Sequence, residues 1–261
     1  MKRSCSNEKG DKVDVKKLKF VGGKDKKFDK PKSRDLKKET FKGVDKKYSF
    51  DGIVLDTEEE VRTRDGYMAP LPTRDSTGCL IFDDAPSFKP NMSPEDVLRA
   101  GSFGGTYYRP IKSSVTGISY DKMWLEFPQD WFKDLKTKTL VSSLTYRNEI
   151  NKYKVKCGGD LNMWESSGWI KKQDPYGWYH WYCRFYLGRR TEDDERQMKR
   201  WANCTGAKGR WKNNLIGKIF RGGKKFDDFK VSPVVRQILL HWGYTLTKAD
   251  YEIGKKRVKT K

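Results

Sequence analysis

Three absences limit the kinds of protein that this 261-residue chain can be. No run of residues approaches the roughly 18 apolar positions of a membrane-crossing helix, so we expect none. The chain is charged from Lys2 onward with no apolar stretch behind it, so we expect no secretory signal peptide. The five cysteines are odd in number and far apart, which favours reduced thiols in an intracellular protein over a disulfide framework.

The sequence motifs of common enzymes are also missing. The chain has no P-loop, no dinucleotide-binding glycine set, no nucleophile elbow and no His-Glu-x-x-His sequence. The four carboxylates at 192–195 are explained by the electrostatics of a helix start. Isolated acids that a hydrolase could use occur in almost any chain, and here they include Asp160, Glu165 and Asp174. We therefore predict no catalytic residue and no cofactor, and an enzyme is the less favoured class.

Histidine is scarce, which limits the ways in which the chain could bind a metal. The two histidines are His180 and His241, and there is no Cys-x-x-Cys pair. A zinc site would need His180 and Cys183, one helical turn apart, to meet the distant Cys157 and Cys204. The simpler interpretation is that these groups are partly buried thiols and imidazoles, so we predict no metal site.

Positive charge, in contrast, is abundant. The chain carries 56 Lys and Arg against 35 Asp and Glu, a net charge of +21. Such a balance favours an anionic partner, either nucleic acid or an anionic membrane surface, but it carries no information about fold. Hydrophobic residues make up only 35% of the chain. This low share indicates that a long polar region dilutes a normal core.

Composition marks three segments as extensions of a folded core. Residues 1–50 hold 18 basic and 8 acidic residues with few apolar ones, so we predict a disordered basic arm. The arm is either a solubilising or targeting tail or a segment that lies along phosphates. Residues 51–92 are acidic and contain proline, which predicts an extended connector able to fold back on the basic arm or on the core and compete with an anionic ligand. Residues 248–261 predict a basic carboxyl-terminal tail.

Residues 93–247 form the predicted folded core, which we assign to the α+β class with a small sheet and packed helices. A helix start is predicted at Ser93, because this cap residue is followed by proline and then by two acids. Three runs resemble strands: Thr106–Ile111, Leu140–Tyr146 and Tyr153–Cys157, the last of which alternates apolar residues with lysines.

Four helices are predicted towards the carboxyl end of this core. The nearly continuous aromatic run Trp178–Tyr186 predicts a buried helix. Three more are predicted from Thr191 to about Ala202, over Arg210–Arg221, and from Ser232-Pro233 to Gly243. Together the last three form a three-helix, helix-turn-helix-like part at residues 191–243.

The basic faces of these helices carry the candidate ligand-binding residues. A helix-turn-helix element places its second helix in a major groove, and Arg210–Arg221 suits that role because arginine and asparagine read base edges. The alternative is that these are ordinary solvated faces of a helical subdomain. The predicted nucleic-acid-binding residues are Arg184, Arg189, Arg190, Arg196, Lys199, Arg200, Lys208, Arg210, Lys212, Asn213, Asn214, Lys218, Arg221 and Arg236.

Arg189 and Arg190 leave two interpretations open. Two adjacent arginines before a helix could grip a phosphate. The acids at 192–195 would oppose an anion there, so an ion pair between one arginine and this acidic turn is the favoured interpretation.

Aromatic side chains are a further candidate contact, because rings can stack on unpaired bases. Most tryptophans are better explained as core. The residues that we expect to be exposed for this purpose are Tyr107, Tyr108, Tyr179 and Tyr182.

Several specific motifs lie between residues 101 and 247. They are DPYGW at 174–178, WYCRFYxGRR at 181–190, GRWK at 209–212, SPVVRQ at 232–237 and HWG at 241–243. In these motifs the chain resembles a family of uncharacterised proteins of fungi, plants and large DNA viruses of algae. The resemblance covers over half the chain and implies a eukaryotic or viral intracellular setting, with residues 1–92 as an extension. It implies no activity and no binding residue.

Charge and motifs together favour a nucleic-acid-binding protein that uses basic helix faces and lysine-rich arms to contact the phosphates of DNA or RNA. We predict a location in the nucleus or in a virion, and no membrane partner. Two alternatives come from other classes. One is a structural component of a virion or ribonucleoprotein, with protein neighbours. The other is a nucleic-acid-modifying enzyme with an unfamiliar site.

Overall fold

A computed structural model describes residues 46–259 of the chain. The predicted basic arm lies outside the described residues as far as residue 45. The predicted α+β class is confirmed, since helices predominate and the strands are few and short. The helices are α1 (Glu58–Asp65), α2 (Pro94–Arg99), α3 (Thr137–Leu140), α4 (Leu161–Ser166), α5 (Trp178–Tyr186), α6 (Asp194–Thr205), α7 (Arg210–Arg221), α8 (Pro233–His241) and α9 (Lys248–Lys259).

The strands form two small sheets. They are β1 (Lys47–Ser49), β2 (Thr73–Arg74), β3 (Leu80–Ile81), β4 (Ile111–Lys112) and β5 (Ser119–Asp121). In the three-stranded sheet the order is β1-β5-β4, with β1 parallel to β5 and β4 antiparallel to it. β2 and β3 form an antiparallel pair. The end of the predicted disordered arm, at residues 47–49, is therefore a paired strand.

The predictions of the three strands were wrong. Thr106–Ile111 is mostly turn and only Ile111 reaches β4, while part of Leu140–Tyr146 belongs to α3. Tyr153–Cys157 forms no strand, since Lys154 has a φ of 56°, outside the extended region. The alternation of exposure survives in this loop, where the lysines point outward and Tyr153, Val155 and Cys157 are half-buried. A period of two in burial is therefore not sufficient for a strand.

Residues 51–92 are not an extended connector. They contain α1, which begins with a reciprocal capping box between Thr57 and Glu60. Val61 of α1 is fully buried, and so are Leu80 and Phe82 further along the segment. The composition of residues 51–92 did not indicate a folded segment, because it averages a few deeply buried apolar residues with many exposed acidic ones. The folded part therefore begins well before Ser93.

The main core surrounds α5, whose predicted bounds are confirmed. The ring of Phe88 makes edge contacts with Trp181, Tyr182, Phe185 and Trp201 at centroid distances of 5.1 to 5.7 Å. Such edge-to-face pairs are the arrangement that aromatic quadrupoles favour. α2 packs against α5, and the predicted cap at its start is present, with Ser93 and Asp96 exchanging hydrogen bonds.

The tyrosines that we expected to be exposed are buried in this core. Their relative exposures are 6% for Tyr107, 1% for Tyr108, 2% for Tyr179 and 0% for Tyr182. Three of their hydroxyls donate to backbone carbonyls, so their polar ends are satisfied inside the protein. They are not available to stack on bases.

The carboxyl-terminal helices form a second core. The predicted helices at Arg210–Arg221 and Ser232-Pro233 match α7 and α8, and α6 begins at Asp194, three residues after the predicted cap. The predicted tail is instead helix α9, and Tyr251 on it is buried. α7 contacts α6, α8 and α9. None of the helices within residues 46–259 is long and apolar enough to cross a membrane.

Candidate nucleic-acid interface

Helix α7 buries most of its circumference and exposes one stripe. Trp211, Leu215 and Ile219 pack into the second core. The exposed residues recur at intervals of four, four and three, which places them on one side of a helix. We call this stripe the α7 face, and it consists of Arg210, Asn214, Lys218 and Arg221.

The α7 face is rich in cations and contains no acid, because α7 itself has neither Asp nor Glu. Lys218 Nζ donates to Ser232 Oγ at 3.2 Å. The guanidinium of Arg210 lies 4.5 Å from the ring centroid of Trp211. Among residues 46–259, no carboxylate forms an ion pair with Lys218 or Arg221. These two cations can therefore contact an external anion without breaking an internal pair.

The loop that follows α7 extends the positive surface, and sequence reasoning missed it. We call residues 222–232 the Phe229 loop. Lys224, Lys225 and Lys230 are all exposed in it. Its acids are Asp227, which is exposed, and Asp228, whose carboxylate accepts from the backbone N–H of Lys230 at 3.0 Å. The signal that could have found this surface is the pair of adjacent lysines directly after a helix with a basic face.

Two predicted contact residues of α7 have structural roles instead. Lys212 is buried, and its Nζ lies 3.0 Å from the carboxylate of Asp250 and 4.8 Å from the ring centroid of Tyr244. It therefore ties α7 to α9. The side-chain amide of Asn213 donates to the carbonyls of Gly209 and Ala207, which fixes the turn before α7.

Arg236 was also predicted to contact nucleic acid, but the structure buries it. Its relative exposure is 4%, and burial lowers the pKa of its guanidinium. The guanidinium donates to the carbonyl oxygens of Phe226, Asp228 and Val231 at 2.7 to 3.1 Å. Arg236 therefore holds the Phe229 loop in place from inside.

Arg184 and Arg189 belong to a buried ionic cluster beside α5. Both arginines bond to Asp174, which is 1% exposed, and Arg184 also pairs with Glu126. Burial by itself would raise the pKa of Glu126, but the charge of Arg184 and a hydrogen bond from His180 lower it below the ordinary value. With two carboxylates facing two guanidinium groups, the cluster has no surplus positive charge for a phosphate.

Arg190 pairs with Asp84, with bonds of 2.6 and 3.0 Å, and its guanidinium lies 3.8 Å from the ring centroid of Phe185. The favoured interpretation, an ion pair with the acidic turn, is therefore wrong. Their partners are not the acidic turn at 192–195 but Asp174 and Asp84, which are distant in sequence.

Of the predicted contact residues on α6 and in the turn after it, two bond to other side chains of the protein and two are exposed. Arg196 pairs with Asp193 within the helix start. Arg200 bonds to Gln197 and lies near the rings of Trp169 and Trp242, and burial followed by the charge of Arg196 lowers its pKa to about 10. Lys199 on α6 and Lys208 in the following turn are exposed.

The candidate catalytic and metal-binding residues do not come together. The carboxylate of Asp160 caps α4, and that of Glu165 accepts from Ser113 and Ser114. Cys157 Sγ lies 3.5 Å from His241 Nδ1, and burial raises the pKa of this thiol to about 12. Within residues 46–259, no group of three or more His, Cys, Asp or Glu side chains is placed to hold a metal ion.

Comparisons of the chain with protein-family models, with curated proteins and with solved structures found no match. The resemblance based on the motifs between residues 101 and 247 stays a prediction.

Proposed function

We propose that the protein binds nucleic acid through the α7 face, with the lysines of the Phe229 loop as further phosphate contacts. The observation that carries this proposal is the α7 face itself, with three cations and an asparagine on one side of an acid-free helix. The chain around it supports the same partner. Residues 201–261 contain 15 Lys and Arg against 4 Asp and Glu.

The dimensions of the α7 face suit a polyanion. Arg221 lies eleven positions after Arg210, so the face extends over about 16 Å of helix axis. Successive nucleotides of one DNA strand advance about 3.4 Å along the duplex axis, so this length corresponds to about five phosphates. Three cations spaced along it can neutralise several phosphates at once, whereas a small anion would contact only one.

The packing around α7 favours phosphate contact over deep groove insertion. A recognition helix must project far enough to reach base edges. Here α6, α8 and α9 all contact α7, so only its one stripe is presented. Arg and Lys on such a stripe position the partner, and Asn214 is the residue of the face that suits a base edge. Such binding is consistent with the proposed location in the nucleus or in a virion.

The test is a binding titration of the full-length protein against labelled duplex DNA, single-stranded DNA and RNA from about 50 to about 200 mM salt. We expect tight binding at low salt and a steep loss as salt rises. The triple variant Arg210→Gln, Lys218→Gln, Arg221→Gln removes the cations of the face. It should weaken binding at low salt and flatten the salt slope for duplex DNA by about 2 to 3, since each lost phosphate contact contributes about 0.9.

The matched control removes the same number of charges from exposed lysines outside the second core, by Lys133→Gln, Lys136→Gln and Lys138→Gln. Its affinity and salt slope should stay close to those of the wild-type protein. Absence of binding by the wild-type protein at low salt would refute the proposed function. Equal losses in the two triple variants would refute the role of the α7 face.

A further inference from the structure

Phe229 is an aromatic side chain held at the surface. It is 57% exposed, in the loop between α7 and α8. The other aromatic residues between positions 211 and 244 are buried, as Trp211 and Tyr244 are, or half-buried, as Phe226 is. An exposed phenylalanine gains little from folding, so the structure of the loop around it needs an explanation.

The loop presents this ring in a fixed position. Arg236 lies under the loop and bonds to the three carbonyls described above, and its guanidinium is 5.5 Å from the ring centroid of Phe229. The ring of Tyr153 meets Phe229 at 5.8 Å with an interplanar angle of 61°. A buried cation and a second ring therefore fix the orientation of Phe229, while more than half of its surface stays open to solvent.

Lysines flank this ring from two loops. Lys224, Lys225 and Lys230 are exposed in the Phe229 loop. On the other side, Lys152, Lys154 and Lys156 are exposed around Tyr153, and the Nζ of Lys152 lies 5.8 Å from the Tyr153 ring centroid. The acids of the same two loops are Glu149, Asp227 and Asp228, so the cations outnumber them two to one.

We propose that Phe229 stacks on an unpaired base of a single-stranded nucleic acid whose phosphates are held by the lysines of these two loops. The inference rests on the proposed function and narrows its partner to a strand with accessible bases. Every base has a π face, so stacking needs no particular sequence, and a lysine-lined path for the backbone completes such a site. In a duplex the same bases are stacked on each other and cannot reach the ring.

The experiment compares three labelled strands of about 16 nucleotides, the upper site size of a single-strand-binding fold. They are oligothymidylate, oligouridylate and an abasic strand that has the phosphates of DNA but no bases. Binding of the full-length protein is measured by fluorescence anisotropy at about 50 mM salt. Phe229→Ala should weaken binding of the two strands with bases by roughly 5- to 150-fold, and leave binding of the abasic strand unchanged.

Two further variants separate stacking from a loss of structure. Phe229→Trp keeps an aromatic face and should bind as the wild-type protein does. Met68→Ala truncates another exposed apolar side chain, 87% exposed and far in sequence from both loops, and should leave all affinities unchanged. A fourth strand, oligodeoxyuridylate, differs from oligouridylate only in the 2′-hydroxyl group, so comparing these two shows which sugar the site favours.

Each outcome decides between the two proposals. If Phe229→Ala binds all strands as tightly as the wild-type protein, or loses equal affinity for the abasic strand, stacking is wrong and the proposed function stands. If the wild-type protein binds no strand and no duplex, both proposals fail. If Phe229→Ala loses affinity and the α7 triple variant does not, only the role of the α7 face fails.

Discussion

At the scale of single residues, the sign of a charge does not reveal its partner. Arg184, Arg189 and Arg190 look from the sequence like part of one basic run, yet all three are engaged with carboxylates. Asp84 lies 106 positions before Arg190. A pattern read along the chain cannot detect a partner at that separation, because the pair is created only by folding.

Lys212 provides a test of this distinction, because sequence reasoning placed it at the interface and the structure places it inside. Lys212→Met keeps the aliphatic stem but leaves the carboxylate of Asp250 without its cation. We expect the free energy of unfolding to fall by about 1 to 3 kcal/mol. Chemical denaturation measures this loss.

We expect the same substitution to lower stability without changing the affinity for nucleic acid. With the folded protein in excess of the unfolded form, Lys212→Met should bind as tightly as the wild-type protein, because Lys212 is 8% exposed at its side chain. If Lys212→Met keeps the wild-type stability but loses affinity for nucleic acid, Lys212 is a contact of the interface and its structural role is wrong.

At the scale of elements, helices with strong end signals could be predicted and strands could not. Ser93-Pro94 and Ser232-Pro233 each start a helix where the local sequence predicts one. The strands are only two or three residues long, too short for a period of two to show. The candidate site follows the same pattern: the exposed residues of α7 could be predicted from its periodicity, whereas the Phe229 loop depends on Arg236 and on Tyr153.

Helix α9 was predicted as a tail, and its packing can be tested directly. Tyr251 of α9 is 8% exposed in the second core. Tyr251→Ala should lower the free energy of unfolding by about 3 to 5 kcal/mol, the usual cost of removing a buried aromatic ring. Ile253, on the same helix, is 58% exposed, and Ile253→Ala should change stability by at most about 0.5 kcal/mol. Similar small effects for both variants would support a solvated tail.

At the scale of the whole molecule, the buried ionic cluster makes stability depend on pH. His180 has a pKa below its ordinary 6.5 because of burial and the charge of Arg184. The pKa values of Glu126 and Asp174 are also lowered, since nearby arginines outweigh the effect of burial. All three groups bind a proton less readily in the folded state than in the unfolded chain. Their contribution to stability is therefore complete at neutral pH and is lost as pH falls.

We expect the free energy of unfolding to decline as pH falls below about 6.5, where unfolded His180 takes up a proton, and more steeply below about 4.5, where unfolded carboxylates do. Glu126→Gln should lower stability at neutral pH by about 3 kcal/mol or more, since it leaves buried Arg184 short of a partner. Below about pH 4.5, the free energy of unfolding of Glu126→Gln should depend less steeply on pH than that of the wild-type protein.

Denaturation across pH 2 to 8 measures both effects. Glu149→Gln, at an exposed glutamate, serves as the control and should reproduce the wild-type curve. Parallel curves for the wild-type protein and Glu126→Gln would show that another group is responsible for acid unfolding.

The way in which Arg236 holds the Phe229 loop has a consequence for how the surface can diverge. Its guanidinium donates hydrogen bonds to backbone carbonyls of the loop, which every amino acid supplies, and it also lies beside the ring of Phe229. Substitutions at Lys224, Lys225, Phe229 or Lys230 therefore change the side chains at the surface. They leave the hydrogen bonds from Arg236 to the loop backbone in place. One buried arginine makes this loop a site where recognition can evolve separately from folding.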